Sequence, residues 1–482
     1  MVADPREVIE KTSINENMST VLAKQRAAFM EAPMPSLEQR LGQIDKFREM
    51  LISHTDRMAE AAARDFGNRH KQETTSAEFT VLLQSIRYIK KNLRKWMKPS
   101  RRASGLLLAD VKARVHYQPL GVVGVLSPWN YPFQLALRPM LFALAAGNRV
   151  MIKPSEHTPH SSAALAELIG DAFAPEQVAV VTGDAQAAAD FSALPFDHLI
   201  FTGSSHIAKF VLQAAAAHLT PVTLELGGKS PALIGPDCNL EMAAKRIAFG
   251  KALNAGQTCV APDYILLPQG MQQEFIKQFG RAIEQMYPDI ATNPDYTTII
   301  NDRQFARLQG LREDARSKGA GIIEVNPGDK QPVADSRRMV PTLVTEVSDD
   351  MQIMQEEIFG PLLPIVTYST FDEALDYIKA RPRPLALKLF EDDRAVRQRV
   401  LEQTHSGGVC INDTLFHVAV EDMPFGGIGP SGTGTYNSAE GFYRLSHAKS
   451  VLIRPSWINL AESIFPPYGK KLQEFLNRIS SR

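Results

Sequence analysis

From about Val115 onward, short apolar runs alternate with helical segments, and that rhythm restricts the chain to βαβ units built on parallel sheets. Strands are predicted at residues 121–126, 149–152, 178–181 and 198–201. Helices fall at 133–146, stopped by Gly147-Asn148, around 161–173 and from near Ser205. The order is that of a doubly wound nucleotide-binding sheet. After Glu225 a second alternating region places helices near 240–253, 272–286 and 303–316, with strands near 264–267, around Ile322 and at 364–368. It reads as a separate catalytic α/β lobe.

Two helical blocks precede these lobes. Ser36 with Gln39 forms a capping-box pattern, and Leu37, Leu41, Ile44, Phe47 and Leu51 follow at helical spacing. Thr75 with Glu78 is expected to begin a second helix, whose stripe is Phe79, Leu82, Ile86, Ile89, Leu93 and Trp96 and which Pro99 ends. The basic run Arg87, Lys90, Lys91, Arg94, Lys95, Lys98, Arg101 and Arg102 reads as a solvated face or a surface for acids of a neighbouring subunit, ahead of a nucleic-acid site. Residues 101–117 and the tail after Phe416 fit neither lobe and are assigned to a β-rich bridging piece that makes oligomer contacts. Leu472, Phe475, Leu476 and Ile479 predict a short docking helix.

Lys and Arg (53) balance Asp and Glu (53), so no global field draws nucleic acid or an anionic membrane. Cys238, Cys259 and Cys410 are too few and scattered for a disulfide framework or a thiolate metal cage, which fits a reducing, cytoplasmic setting. No histidine cluster has metal-ligand spacing. The stretch holding Asp4, Arg6, Glu7, Glu10 and Lys11 has no apolar signal core, and no apolar run reaches the length of a membrane span.

Chemistry concentrates in two turns. Asn254-Ala255-Gly256-Gln257-Thr258-Cys259 presents a thiol among small residues that leave room for a substrate or cofactor. Leu224-Glu225-Leu226 before Gly227-Gly228 presents a carboxylate at a strand end, where it can activate water. Gly427-Ile428-Gly429-Pro430-Ser431-Gly432 matches a dinucleotide fingerprint literally, but no predicted strand precedes it and it reads as a loop. Gly228-Lys229-Ser230 resembles the end of a P-loop without its first glycine, since Thr223 stands there.

These two turns, together with Ser127-Pro128-Trp129-Asn130-Tyr131-Pro132, Met151-Ile152-Lys153-Pro154-Ser155-Glu156, Phe201-Thr202-Gly203-Ser204, Glu356-Glu357-Ile358-Phe359-Gly360-Pro361 and Pro424-Phe425-Gly426-Gly427, resemble the aldehyde dehydrogenases in family order over nearly the whole chain. The likeness is greatest to the class-three branch and its bacterial coniferyl-aldehyde dehydrogenases, through Thr258 to Tyr264, Leu253-Asn254 and Thr404-His405-Ser406-Gly407-Gly408. The resemblance implies an α/β aldehyde dehydrogenase-like fold: a Rossmann-type NAD(P)-binding domain (1–100 and 118–224), a catalytic domain (225–415), a bridging and oligomerisation element (101–117 and 416–450) and a C-terminal tail (451–482).

It further implies Cys259 as nucleophile, Asn130 with the Cys259 backbone N–H as oxyanion donors, and Glu225 as the base that hydrolyses a thioester. Lys153, Glu156, Gly203, Ser204, Glu357, Phe359 and Trp129 would hold the cofactor, NAD with NADP also accepted. Glu156 would disfavour the extra phosphate by charge repulsion. Ala208 stands where many relatives carry glycine, which bears on diphosphate packing. Cys238 and Cys410 read as structural thiols. The implied activity is oxidation of an aldehyde, aromatic such as coniferyl aldehyde or apolar aliphatic, to the acid by a cytoplasmic homodimer without metal, nucleic acid or membrane anchor. The competing readings are a cysteine-dependent ester hydrolase and a non-catalytic structural protein of the same fold.

Overall fold

The computed structural model describes residues 18–105, 108–333 and 336–480. The acidic and basic stretch before residue 18, read above as lacking a signal core, lies outside them.

Two helices come first. Met18–Glu31 is followed by Leu37–Phe66, where Ser36 and Gln39 form the expected capping box. The next helix departs from the sequence reading. It begins at Lys71 with His70 as N-cap, passes through a π-turn at Thr75–Phe79 and continues to Trp96. The Thr75 hydroxyl donates back to the Lys71 carbonyl, as serine and threonine do inside helices, so Thr75 caps nothing. Glu78 is fully buried and accepts from the backbone N–H groups of Phe133 and Gln134 at 2.8 and 3.0 Å. It therefore serves the N-terminus of a different helix, a contact that local spacing cannot reveal. In the basic run, Lys90 is bound to Asp45 of the preceding helix.

Strands β1 (Ser100–Arg102) and β2 (Lys112–Pro119) lead into the first large sheet. That sheet holds β3 (Val122–Leu126), β4 (Arg149–Lys153), β5 (Val178–Val180), β6 (His198–Thr202) and β7 (Val222–Glu225). Its order, starting from a later strand β15 (Gly432–Thr433), is β15-β7-β6-β3-β4-β5, parallel except for the β15–β7 pair. The expected loop at 427–432 thus ends in a short strand beside Glu225. Successive strands leave β3 in opposite directions, so a switch point lies at the C-terminal ends of β3 and β6. The helix Gln134–Ala146 stops at Gly147, whose φ of 93° is the left-handed conformation of a helix C-cap.

The second sheet contains β8 (Pro231–Ile234), β9 (Tyr264–Pro268), β10 (Gly321–Glu324), β11 (Thr342–Thr345), β12 (Leu362–Tyr368), β13 (Ala386–Phe390) and β14 (Gly408–Ile411). Their order is β10-β11-β12-β9-β8-β13-β14, with only the β10–β11 pair antiparallel. β8, β11 and β13 are buried at every position, the pattern of strands covered by helices on both faces. Finally β16 (Ser446–Ile453) pairs antiparallel with β2, giving a three-stranded sheet in the order β1-β2-β16. Each large sheet carries its own apolar core, centred on Ile234, Leu266 and Leu363 in one and on Val125, Leu141 and Ile152 in the other. Each such fully buried side chain contributes about 1.5–3 kcal/mol. Among the described residues no helix is long and apolar enough to cross a membrane, and no group of His, Cys, Asp and Glu is placed to hold a metal ion.

Candidate active site

The helix Leu240–Ala252 ends in a turn in which Asn254 (φ 50°), Ala255 (φ 51°) and Gly256 (φ 73°) are all left-handed. A non-glycine residue costs roughly 1–2 kcal/mol in that conformation, so the turn persists only if its surroundings fix it. They do. The Asn254 amide donates to the Asn130 and Gln257 carbonyls, both at 3.1 Å, and the Gln257 amide donates to the Asn254 and Thr298 carbonyls at 2.9 and 3.1 Å. The smallness of Ala255 and Gly256 meets a different need from the one expected. Ala255 is wholly buried in the core, and a Cβ on Gly256 would stand 2.4 Å from the Gly360 carbonyl oxygen. Backbone packing, rather than space for a ligand, requires them.

This turn delivers Cys259 half-buried against an apolar cluster of Val260, Leu385, Ala386 and Leu415, with Leu253, Val418 and Phe425 alongside. Burial pushes the thiol up to about 12, and the carboxyls of Glu357 and Glu225 push in the same direction, while Lys388 opposes them. Lys388 is itself buried and driven down to about 7 by desolvation.

Asn130 lies just past the C-terminal end of β3. Its side-chain amide donates to the Gln257 carbonyl at 3.1 Å, which leaves the second amide proton for another acceptor. The neighbouring Tyr131 hydroxyl lies 2.7 Å from the Thr258 hydroxyl. Two adjacent residues are thereby tied to the two that precede the thiol.

Glu225 ends β7 with both carboxylate oxygens buried and unbonded. Desolvation raises it well above the ordinary carboxylate range, opposed by Arg138. Its backbone carbonyl accepts from Gly203 N–H at 3.1 Å, and β15 covers its other side at Gly432. Glu357 follows the short helix Gln352–Gln355, and its carboxyl lies so close to Gly227 that a Cβ there would stand 2.2 Å from an oxygen. Burial, then Asp263, raises Glu357 to about 8. Phe359, two residues on, meets the Trp129 ring edge-on at 5.3 Å, so the segments bearing Glu357 and Asn130 touch.

The remaining sequence-chosen residues sit at the strand ends around the switch point. Lys153 ends β4, buried, with its ammonium 3.4 Å from Glu156. Desolvation lowers its pKa. Gly203 follows β6, and the Ser204 hydroxyl accepts from Ile207 N–H at 3.3 Å to cap the helix Ser205–Ala216. The Ala208 methyl is buried in the apolar layer with Val211 and Leu224. Cys410 is buried on β14, while Cys238 is half-buried beyond β8.

The arrangement therefore combines a thiol, an amide donor, a buried and a half-buried carboxyl and a helix N-terminus at a sheet switch point. A family model described as the aldehyde dehydrogenase family matches residues 8–451. The chain belongs to that family. It is 50% identical over 482 residues, the whole of both chains, to a probable coniferyl aldehyde dehydrogenase of Pseudomonas aeruginosa. A dimeric, NADP-preferring aldehyde dehydrogenase of Canis lupus familiaris is 38% identical over 441 residues, 91% of this chain and 95% of that one. The solved structure of the substrate-bound state of Staphylococcus aureus AldH superposes with a TM-score of 0.90 at 36% identity, covering 96% and 99% of the two chains. Aldehyde oxidation is thus the activity of this aldehyde dehydrogenase.

Sequence reasoning passed over two parts of the site. Arg69 donates to the Asn130 carbonyl at 3.0 Å from a region with no motif around it. Lys229 bonds Asp263 and donates to the Ile353 and Glu356 carbonyls at 2.7 and 3.1 Å, holding the segment that carries Glu357. The signal for Lys229 was present in its place beside Gly227-Gly228. For Arg69 there was none.

Proposed function

We propose that the protein oxidises apolar, aromatic aldehydes of the coniferyl aldehyde type to carboxylic acids, using NAD(P), through Cys259, Asn130 and Glu225. The observation that carries this reading is the meeting of the Cys259 turn with the Asn130 amide, beside the buried carboxyl of Glu225 and the half-buried one of Glu357. The Cys259 thiol gives up its proton to water, its sulfur adds to the aldehyde carbon, and the carbonyl electron pair moves onto oxygen. The spare Asn130 proton and the Cys259 N–H donate to that oxyanion; one such donor is worth on the order of 10²–10³ in turnover. NAD(P), when bound, would supply the acceptor for the hydride lost from the same carbon. Glu225 then takes a proton from water as its oxygen attacks the resulting thioester, the C–S bond breaks, and the thiolate returns.

The chain's own residues fit such a cofactor at the β3–β6 switch point. The helix beginning after Ser204 turns its N-terminus to the strand ends, suited to phosphate. Lys153 and Glu156 form a donor and acceptor pair at the next strand, suited to a ribose, and the negative Glu156 favours NAD over NADP. Trp129, Glu357 and Phe359 border the thiol side. The apolar cluster around Cys259 supports an aromatic or apolar substrate. Exposed Ile207 and Phe210 on the helix Ser205–Ala216, with Leu452 and Ile453 on the edge strand β16, support a homodimer. The separate cores of the two large sheets support the domain division given above, and three free thiols support a cytoplasmic setting.

Reduced cofactor formed from coniferyl, benzyl and medium-chain aldehydes, each with NAD and with NADP, tests this. Aromatic aldehydes with NAD should be preferred, and Cys259→Ala should abolish both aldehyde oxidation and ester cleavage. Ester cleavage with no aldehyde-dependent reduction would leave a thiol hydrolase. Cofactor binding with no turnover on any aldehyde would leave a structural protein.

A further inference from the structure

Charged side chains are seldom buried without a task, since an ion pair taken out of water is a poor source of stability. The Arg69 and Glu78 side chains are both wholly buried, 3.4 Å apart, and Glu73 approaches the same guanidinium at 3.7 Å. The guanidinium also lies against the rings of Phe66 and Tyr131, 4.9 and 5.0 Å from their centroids. Both partners act on one short stretch of chain. Arg69 donates to the Asn130 carbonyl at 3.0 Å, while Glu78 accepts from the N–H groups of Phe133 and Gln134. The turn from Asn130 to Gln134 is thus gripped at each end by one ion pair, and the Asn254 amide shares the same carbonyl.

We infer that Arg69, held by Glu78, is a positioning residue that aims the Asn130 side-chain amide at the oxygen of the substrate bound to Cys259. The inference rests on the proposed role of Asn130 as oxyanion donor. A guanidinium can donate to the carbonyl and stay paired by charge with the carboxylate at once because its nitrogens diverge in a rigid plane; an ammonium at the end of a flexible stem holds neither direction. Without Arg69 the Asn130 carbonyl keeps only the Asn254 bond, and the direction of the Asn130 peptide is less firmly fixed. A displacement of about 1 Å at such a donor costs on the order of a hundredfold.

The test is a cycle of variants of the full-length enzyme, measured by kcat, KM and cofactor dissociation constant. Asn130→Ala, the charge-free double variant Arg69→Met/Glu78→Gln, and the three changes together are compared with the wild type. The double variant should lose about ten- to a hundredfold in kcat with cofactor affinity unchanged, and the combined variant should lose no more than Asn130→Ala alone. Losses that multiply in the combined variant would overturn the positioning role while leaving Asn130 as a donor. No loss in a folded double variant would do the same. If Asn130→Ala keeps full kcat, the oxyanion role falls and this inference falls with it. Should the double variant not fold, Arg69→Lys carries the test: a smaller kcat loss that vanishes in the Asn130→Ala background supports the inference, and one that persists there refutes it.

Discussion

Glu225→Gln should separate the two halves of the proposed reaction. Both carboxylate oxygens are buried without a hydrogen bond, so the isosteric amide breaks no protein contact. It also removes the only ionisable group at that position, whose charged form burial disfavours. Stability should therefore change by about 1 kcal/mol, a shift of about 1 °C in Tm for a chain of 482 residues. In the proposed mechanism, addition of the thiolate and loss of hydride do not need this group. Hydrolysis of the thioester does, and a general base is worth about 10²–10⁴. Stopped-flow absorbance at the reduced nicotinamide band should show a burst of about one equivalent per subunit, followed by steady turnover slowed by that factor. The sign of the pH dependence follows from the raised carboxyl: the base is active only when ionised, so wild-type hydrolysis climbs with pH until that pKa is passed. The variant should lack this rise. A uniformly slow progress curve without a burst, in a variant that melts like the wild type, would show that Glu225 acts before the thioester forms.

Other perturbations probe the same site. Gly256→Ala places a methyl 2.4 Å from the Gly360 carbonyl oxygen at a φ of 73°, so the turn must yield by about 1 Å; kcat should fall roughly a hundredfold, and a variant with normal turnover would show that the turn is not what places the thiol. With its pKa pushed up to about 12, cofactor-free Cys259 should be alkylated by iodoacetamide at a rate that rises about tenfold per pH unit between pH 7 and 9, as mass spectrometry of the modified peptide would report. A plateau near pH 7 would refute that environment for the thiol.

Much of the architecture could be read from residue pattern alone, and the misses have physical causes. The helix Gln272–Met286 keeps an uninterrupted stripe, and its bounds follow from the sequence. Ala386–Phe390 carries little strand signal, because burial on both faces removes the alternation and its Ala, Leu and Lys residues favour helix where the Val-rich Val122–Leu126 does not. Thr75 and Glu78 imitate a capping box, yet the carboxylate caps a helix more than fifty residues away in sequence. Asn130, Glu225, Cys259 and Glu357 stand out through their neighbours; the Asn130 amide donates to the turn that carries Cys259, and the charges of Glu225 and Glu357 act on its thiol. Arg69 could not stand out. Nothing beside it in the chain differs from an ordinary exposed helix end, and only the folded molecule shows it enclosed.

The two-residue strand β15 has a bearing on how the molecule is made. Until Gly432 and Thr433 leave the ribosome, β7 is an open border of a parallel sheet, with unpaired peptide groups beside Glu225. A nascent chain must carry that vulnerable rim through the synthesis of the entire second sheet. Chaperone dependence and aggregation of interrupted translation products should centre on this rim, and the border beside Glu225 is paired only after the second sheet has been made.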